Sequence, residues 1–226
     1  MKKILTLILV AFVTVSALAQ TNRPPLYSSA EGTLTFNMLS YMGYGYHFVQ
    51  TDEFTPSASG EVFLNVLQLD IFPTEHLGIE LGADLAYNYF RSKKNMFFLD
   101  DKRKVRATSL PSFEGGVENF RSNIDCGSVN FPLLVKGIFG KFQLGAGAEG
   151  RLNFAGSTTY WYNSDNRYYT VEDTKAQLNR FNYDIVATAS YDDIGLYFKY
   201  YPKGSRLLPD GSINFSWMTL GIVLKM

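Results

Sequence analysis

Along residues 77–89 the odd positions read Leu77, Ile79, Leu81, Ala83, Leu85, Tyr87 and Tyr89. The even positions between them read Gly78, Glu80, Gly82, Asp84, Ala86 and Asn88. An apolar side chain at every second residue is the period of a β-strand with one face in an apolar medium, and helical spacing does not fit it. Residues 142–154 repeat the rhythm: Phe142, Leu144, Ala146, Ala148, Leu152 and Phe154 stand against Gln143, Gly145, Gly147, Glu149, Arg151 and Asn153. Noisier versions predict six more strands, over 33–48, 61–72, 128–139, 178–191, 194–201 and 213–226. The segment 61–72 is apolar on both faces, so its orientation stays open.

The connections alternate in length. Pro73-Thr74-Glu75, Gly140-Lys141 and Asp192-Asp193 are short, whereas 49–60, 91–122, 155–177 and 202–212 are long. Short turns on one rim and long loops on the other predict an all-β fold over 31–226, an eight-stranded antiparallel up-and-down transmembrane β-barrel. An even strand number puts both ends of the barrel on the short-turn rim. The two-residue turns also set register: Phe139 should face Phe142, and Tyr191 should face Ile194, each pair on the apolar side.

Alternation alone also fits a soluble, lipocalin-like barrel with its apolar face inward. The composition of the polar face separates the two. A water-facing surface should be dense in charge, yet these positions hold Gly78, Gly82, Gly145, Gly147, Gly195 and Gly221 with Asn, Ser and Thr. Small residues suit a narrow interior, and Phe36, Tyr44, Tyr46, Tyr87, Tyr89, Phe142 and Tyr191 lie toward strand ends, as interfacial girdles require. The polar face is therefore expected inside. Its charges would be Asp70, Glu80, Asp84, Glu149 and Asp184 with Lys136, Arg151, Arg180 and Lys199, nearly balanced. Such a set predicts a closed, charge-plugged interior without steady ion current; a proton or ion path is its other use.

The first residues read as an address. Lys2 and Lys3 precede the apolar run 4–13, and Ala17-Leu18-Ala19 supplies a small-x-small cleavage pattern. Residues 1–19 are thus expected to be a signal peptide and 20–30 a periplasmic segment, with the product in the outer membrane of a Gram-negative cell. No cysteine follows the apolar run, which excludes lipid attachment there.

Composition narrows the chemistry. Equal numbers of basic and acidic residues, 21 each, argue against a nucleic-acid binder. A single cysteine excludes an intramolecular disulfide and a thiolate cluster, and two histidines leave little for zinc. The 15 Tyr, 18 Phe and 19 Gly favour β-structure over helix bundles. No phosphate loop, HExxH or GxSxG is present, so no cofactor and no metal site are expected.

The stretch Val129-Asn130-Phe131-Pro132-Leu133-Leu134-Val135-Lys136, the tight turn after it, and Leu144-Gly145-Ala146-Gly147 resemble the small outer-membrane β-barrel family of Bacteroidetes, the PorT-like group. The final strand Leu220-Gly221-Ile222-Val223-Leu224-Lys225-Met226 carries the same resemblance, although such barrels usually end in an aromatic residue. The resemblance implies a structural, interaction or secretion-accessory role in the cell envelope. Its partners would be outer-membrane lipid and lipopolysaccharide, the assembly machinery and an envelope protein.

Four features remain as candidate chemistry. His47 could centre a lipid A deacylase-like enzyme, but no adjacent Ser and acid accompany it; an interfacial or loop-base histidine is the simpler expectation. His76 should be a solvated turn residue and Cys126 a small filler. The run Lys102-Arg103-Lys104 reads as a solvated loop face, with contact to anionic lipopolysaccharide as its functional alternative. In the loop 155–177, Tyr160, Trp161, Tyr162, Tyr168 and Tyr169 could form an interaction surface for sugar or protein; the simpler expectation is that its flanks continue strands beyond the membrane and end in an interfacial aromatic belt.

Overall fold

The computed structural model describes residues 33–109, 118–164, 167–202 and 205–226. The expected signal peptide and the 20–30 segment lie outside these. In chain order the strands are β1 (Thr33–Met38), β2 (Tyr41–Gln50), β3 (Ser59–Thr74), β4 (Leu77–Ser92), β5 (Asn95–Leu99) and β6 (Val105–Ser109). They continue as β7 (Glu118–Phe139), β8 (Phe142–Ser164), β9 (Arg167–Thr174), β10 (Phe181–Tyr191), β11 (Ile194–Tyr200) and β12 (Ser216–Lys225).

β1 and β2 are two halves of one stave, both paired antiparallel to β3 and broken where Leu39 takes a φ of 55°. Counting that stave once, neighbours in sequence are neighbours in space: β3, β4, β7, β8, β10, β11 and β12 follow in order. β12 then pairs back onto β2, from Ser216 opposite Gln50 to Lys225 opposite Tyr41. Eight antiparallel staves thus link into one ring, as the alternation predicts. Phe139 faces Phe142 and Tyr191 faces Ile194, as the two-residue turns require.

The apolar set points outward. Leu34, Phe36, Leu85, Phe131, Leu133, Ile185, Leu196 and Leu220 are all exposed, whereas Glu80, Asp84, Asn130, Glu149, Asp184 and Lys199 are buried. The open question over 61–72 resolves into a β-bulge. Between Asn65 and Leu67 the chain carries one residue more than β4 does, so Val66 shifts the phase. Glu61, Phe63 and Asn65 point inward before it, and Gln68 and Asp70 after it. Neither face of the segment therefore reads as consistently polar in a fixed period of two.

Two glycines make the interior packable. A Cβ on Gly43 would stand 2.2 Å from the Phe63 ring, and one on Gly45 would stand 2.2 Å from the Tyr197 hydroxyl. Both rings lie across the inner wall where a side chain would otherwise project.

Above the belt, on the long-loop side, the fold exceeds the eight predicted strands. Within 91–122, β5 and β6 form a hairpin, and β7 begins ten residues earlier than the apolar pattern does. The hairpin turn is held by Asp100, whose side chain accepts the backbone N–H groups of Lys104 and Lys102, both at 2.9 Å. These bonds, led by that of Lys104, together with the Arg106 guanidinium hold its carboxyl below the usual carboxylate range. Phe97 and Val105 from the hairpin pack with Phe54, Phe90, Ile124, Leu207, Ile213, Phe215 and Trp217 into an apolar core over that end of the ring.

Candidate functional site

The barrel interior holds two joined polar networks beneath this core. Nearer the short-turn rim, the Gln68 amide donates to Asp70 at 2.7 Å and to Glu80 at 3.1 Å. Lys136 pairs with Glu80 and lies 3.7 Å from Asp70. The Tyr41 hydroxyl donates to Glu80 at 3.2 Å and reaches Asp84 at 3.5 Å, and Asn65 donates to Asp84 at 2.7 Å. Higher up, Lys199 bridges Glu149 at 3.0 Å and Glu61 at 3.2 Å. Arg151 pairs with Asp184 at 2.9 Å, lies 3.8 Å from Glu149 and donates to the Tyr201 hydroxyl. Its guanidinium also lies 4.7 Å from the centre of the Tyr201 ring, which stacks on Trp217 at 3.8 Å. The charges thus pass directly into the aromatic cap.

All seven expected network residues, Glu80, Asp84, Lys136, Glu149, Arg151, Asp184 and Lys199, meet inside the ring. Two expectations about them need correction. Arg180 is exposed on the segment before β10 and does not enter the interior. Glu61, which the ambiguous strand left unassigned, is fully buried beside Lys199. Glu61, Asp70, Glu80, Asp84, Glu149 and Asp184 therefore share the interior with Lys136, Arg151, Lys199 and, at the rim, Lys225, so carboxylates outnumber cations among these groups. The interior is acidic rather than nearly neutral. The signal that finds Glu61 is the pairing of Glu61 with Asn88 across β3 and β4, which sequence periodicity does not reveal.

The interior is also not filled. A cavity of about 800 Å³ opens at the short-turn rim, where Ser40, His76, Gly140, Asp193 and Met226 line it. Its depth is lined by Tyr41, Phe63, Asp70, Glu80, Asp84, Lys136, Glu149, Tyr197 and Lys199. The closed, charge-plugged interior is thus confined to the half nearer the long loops. Small inward residues such as Thr188, Ser190 and Gly195 leave the lower half open.

His47 is neither interfacial nor at a loop base. It points inward, 1% exposed, with Nδ1 2.8 Å from the Thr219 hydroxyl and its ring stacked on Phe90 at 5.0 Å. Neither this cavity nor a second of about 470 Å³ among the long loops is lined by it. His76 sits exposed in the turn between β3 and β4, 3.4 Å from Glu75. Cys126 is buried in the cap beside Asn153. Within Lys102-Arg103-Lys104, two side chains brace neighbouring loops: Arg103 donates to the Thr174 carbonyl at 3.0 Å and Lys104 to the Asp210 carbonyl.

The expected loop 155–177 is largely sheet. β8 runs on to Ser164 and turns into β9, which pairs only with β8 among the described strands. Register splits its five aromatics between two faces. Tyr160, Tyr162 and Tyr169 stack in a row on the side of the apolar cap, with centroids 6.4 and 5.0 Å apart. Trp161 and Tyr168 belong to the opposite face.

These observations define an all-β chain of eight antiparallel staves in one ring, apolar outside and ionisable within. No protein-family model matches the chain, and no curated protein matches it. Among solved structures, it is similar to Ail, the attachment invasion locus protein of Yersinia pestis, crystallised with the heparin analogue sucrose octasulfate. That similarity has 12% identity and a TM-score of 0.35, covering 87% of this chain and 100% of the other.

Proposed function

We propose that the protein is an outer-membrane β-barrel with a structural or interaction role and no enzymatic activity. The carrying observation is the inversion of the fold: large apolar side chains are exposed all around the ring while ion pairs such as Lys136–Glu80, Lys199–Glu149 and Arg151–Asp184 lie inside it. Water does not favour an uninterrupted apolar belt of this size, and a bilayer requires one. The strands of β4, β7 and β8 exceed the 9–11 residues a tilted span needs. Within this class, the PorT-like resemblance supports an accessory role in envelope assembly or secretion. Lipopolysaccharide, the assembly machinery and an envelope protein are the corresponding partners, and export depends on the cleaved N-terminal signal.

The lipid-modifying alternative centred on His47 loses its support, because the imidazole is stacked under Phe90 and lines neither cavity. Envelope fractionation tests the proposal. The protein is expected in the outer-membrane fraction, starting at Gln20, and running faster on gels unheated than boiled. Recovery in the soluble fraction with Met1 retained would overturn it.

A further inference from the structure

We infer that the open edge of β9 is an interaction surface for the same strand of a second copy of this chain, paired antiparallel about Thr170. Among the described strands β9 pairs only with β8, and all eight of its residues are exposed. Proteins blunt an exposed edge with proline, lysine or a bulge. β9 reads Arg-Tyr-Tyr-Thr-Val-Glu-Asp-Thr, and its register with β8 is unbroken from Ser157 opposite Thr174 to Ser164 opposite Arg167. It carries none of those devices, while Tyr168, Tyr169, Thr170 and Val171 favour extended backbone.

The ladder with β8 fixes which backbone groups face outward. Two residues separate Ser164 from Arg167, and strands so joined close on a hydrogen-bonded pair. Alternation then turns the N–H and C=O groups of Arg167, Tyr169, Val171 and Asp173 toward β8, and those of Tyr168, Thr170, Glu172 and Thr174 away from it. The Thr174 carbonyl agrees with that phase, since the Arg103 guanidinium donates to it at 3.0 Å from outside the ladder. Arg103 thereby marks the lower end of the open edge, with Tyr168, Thr170 and Glu172 above it.

A strand added here must offer its own outward groups to those residues, and a copy of β9 does so in registers that pair even positions with even. Centred on Thr170, the pairing sets Tyr168 against the copy's Glu172, Tyr169 against its Val171 and Arg167 against its Asp173. Each of these contacts occurs twice by symmetry, so opposite charges meet at both ends of one edge. Sliding the centre to Tyr169 sets Arg167 against Val171, and sliding it to Val171 sets Arg167 against Lys175. Both neighbouring registers lose the charge pairs, and the second replaces them with repulsion.

Direction decides what the contact joins. β8 rises from the short-turn rim at Phe142 to Ser164, and β9 returns toward the barrel. Antiparallel pairing inverts the copy, so its barrel lies beyond the tip of the β8–β9 hairpin. Resting on the outer-membrane reading above, the two barrels then sit in facing membranes, and the edge makes a contact between like surfaces. One such strand pair binds weakly, and many of them between two surfaces sum.

Sedimentation of the folded barrel in maltoside micelles tests the pairing, with folding of every sample checked by heat-dependent gel mobility. The wild type is expected to form a concentration-dependent dimer. Arg167→Asp or Asp173→Arg alone sets like charges opposite each other twice, and should weaken self-association by about tenfold or more. Mixing the two single variants restores both opposite-charge pairs and should recover the dimer. The double variant Arg167→Asp/Asp173→Arg, with net charge unchanged, should recover it alone. Spin labels at Thr170→Cys should couple across the dimer, and labels at exposed Glu75→Cys, on the far rim, should not. A folded wild type that stays monomeric, undiminished association of either single variant, no recovery in the double variant, or coupled Glu75 labels would overturn the inference. Loss of heat-dependent mobility in the wild type would instead overturn the barrel on which it rests.

Discussion

Arg151 shows how single residues hold this interior together. Its side chain is wholly buried, with Asp184 at 2.9 Å and Glu149 at 3.8 Å. Removing one partner of a buried pair leaves the other charge uncompensated, which costs more than the pair itself contributes. Arg151→Met is therefore expected to destabilise the barrel by about 3–5 kcal/mol in urea unfolding from lipid vesicles. The double variant Arg151→Met/Asp184→Leu should recover part of that loss; equal destabilisation of both would show that the charge pairing is not what matters. At this scale the sequence was largely legible. Glu80, Asp84, Glu149 and Asp184 could be placed inside because each falls on the polar phase of an apolar stretch with no bulge between it and the rest of the pattern. Glu61 could not, because its phase is reversed four to six residues later at Val66.

The element scale explains where the pattern stopped being readable. Alternation is imposed by lipid on one face and the interior on the other, so it fades where the strands leave the bilayer although their hydrogen bonds continue. β7 from Glu118 and β8 to Ser164 are paired well beyond the apolar stretches 128–139 and 142–154. A second bulge at Phe154, where Asn153 faces Ser128 and Ala155 faces Gly127, reverses the phase of β8. That reversal turns Tyr160 and Tyr162 toward the cap, an orientation that extrapolating the lower strand would get wrong. Glycine placement within elements is equally specific. A Cβ on Gly45 meets only side chains, the Tyr197 hydroxyl at 2.2 Å and the Thr219 methyl at 2.6 Å, whereas one on Gly221 also meets the Tyr44 backbone oxygen at 2.5 Å. Gly45→Val should cost about 1–3 kcal/mol by overpacking, and adding Tyr197→Ala should restore part of it. The same second change also removes the Tyr197 ring contacts of a Cβ on Gly221, at 2.3 and 2.5 Å, but leaves the Tyr44 oxygen, so it should rescue Gly221→Val less. Equal rescue of both, measured by unfolding midpoints, would contradict the packing described.

For the whole molecule, the eight-stave ring was readable from strand period, turn length and turn register together. The interior volume was not. Whether small inward residues leave a void depends on which of them share a level, and bulges at Val66 and Phe154 set those levels. The result is a barrel open at the short-turn rim but sealed above by Lys199, Arg151 and the aromatic cap. Steady ion conduction needs a continuous aqueous path, which this seal interrupts. Purified protein in planar bilayers is expected to show no stable stepwise conductance, and stable steps abolished by Arg151→Ala or Glu149→Ala would mean that the network lines a pore.

The central claim is that the exposed apolar belt faces lipid. Site-directed spin labelling tests it most directly, because Cys126, the one native cysteine, is buried and leaves introduced sites to be labelled singly. Labels at Leu81→Cys, Leu133→Cys, Ile185→Cys and Leu220→Cys report from four staves around the ring. In lipid vesicles each is expected to collide readily with oxygen and poorly with a water-soluble nickel chelate, while a label on exposed Asp101→Cys in the β5–β6 turn shows the reverse. Preferential collision of the four belt labels with the nickel chelate would place that face in water and contradict the account.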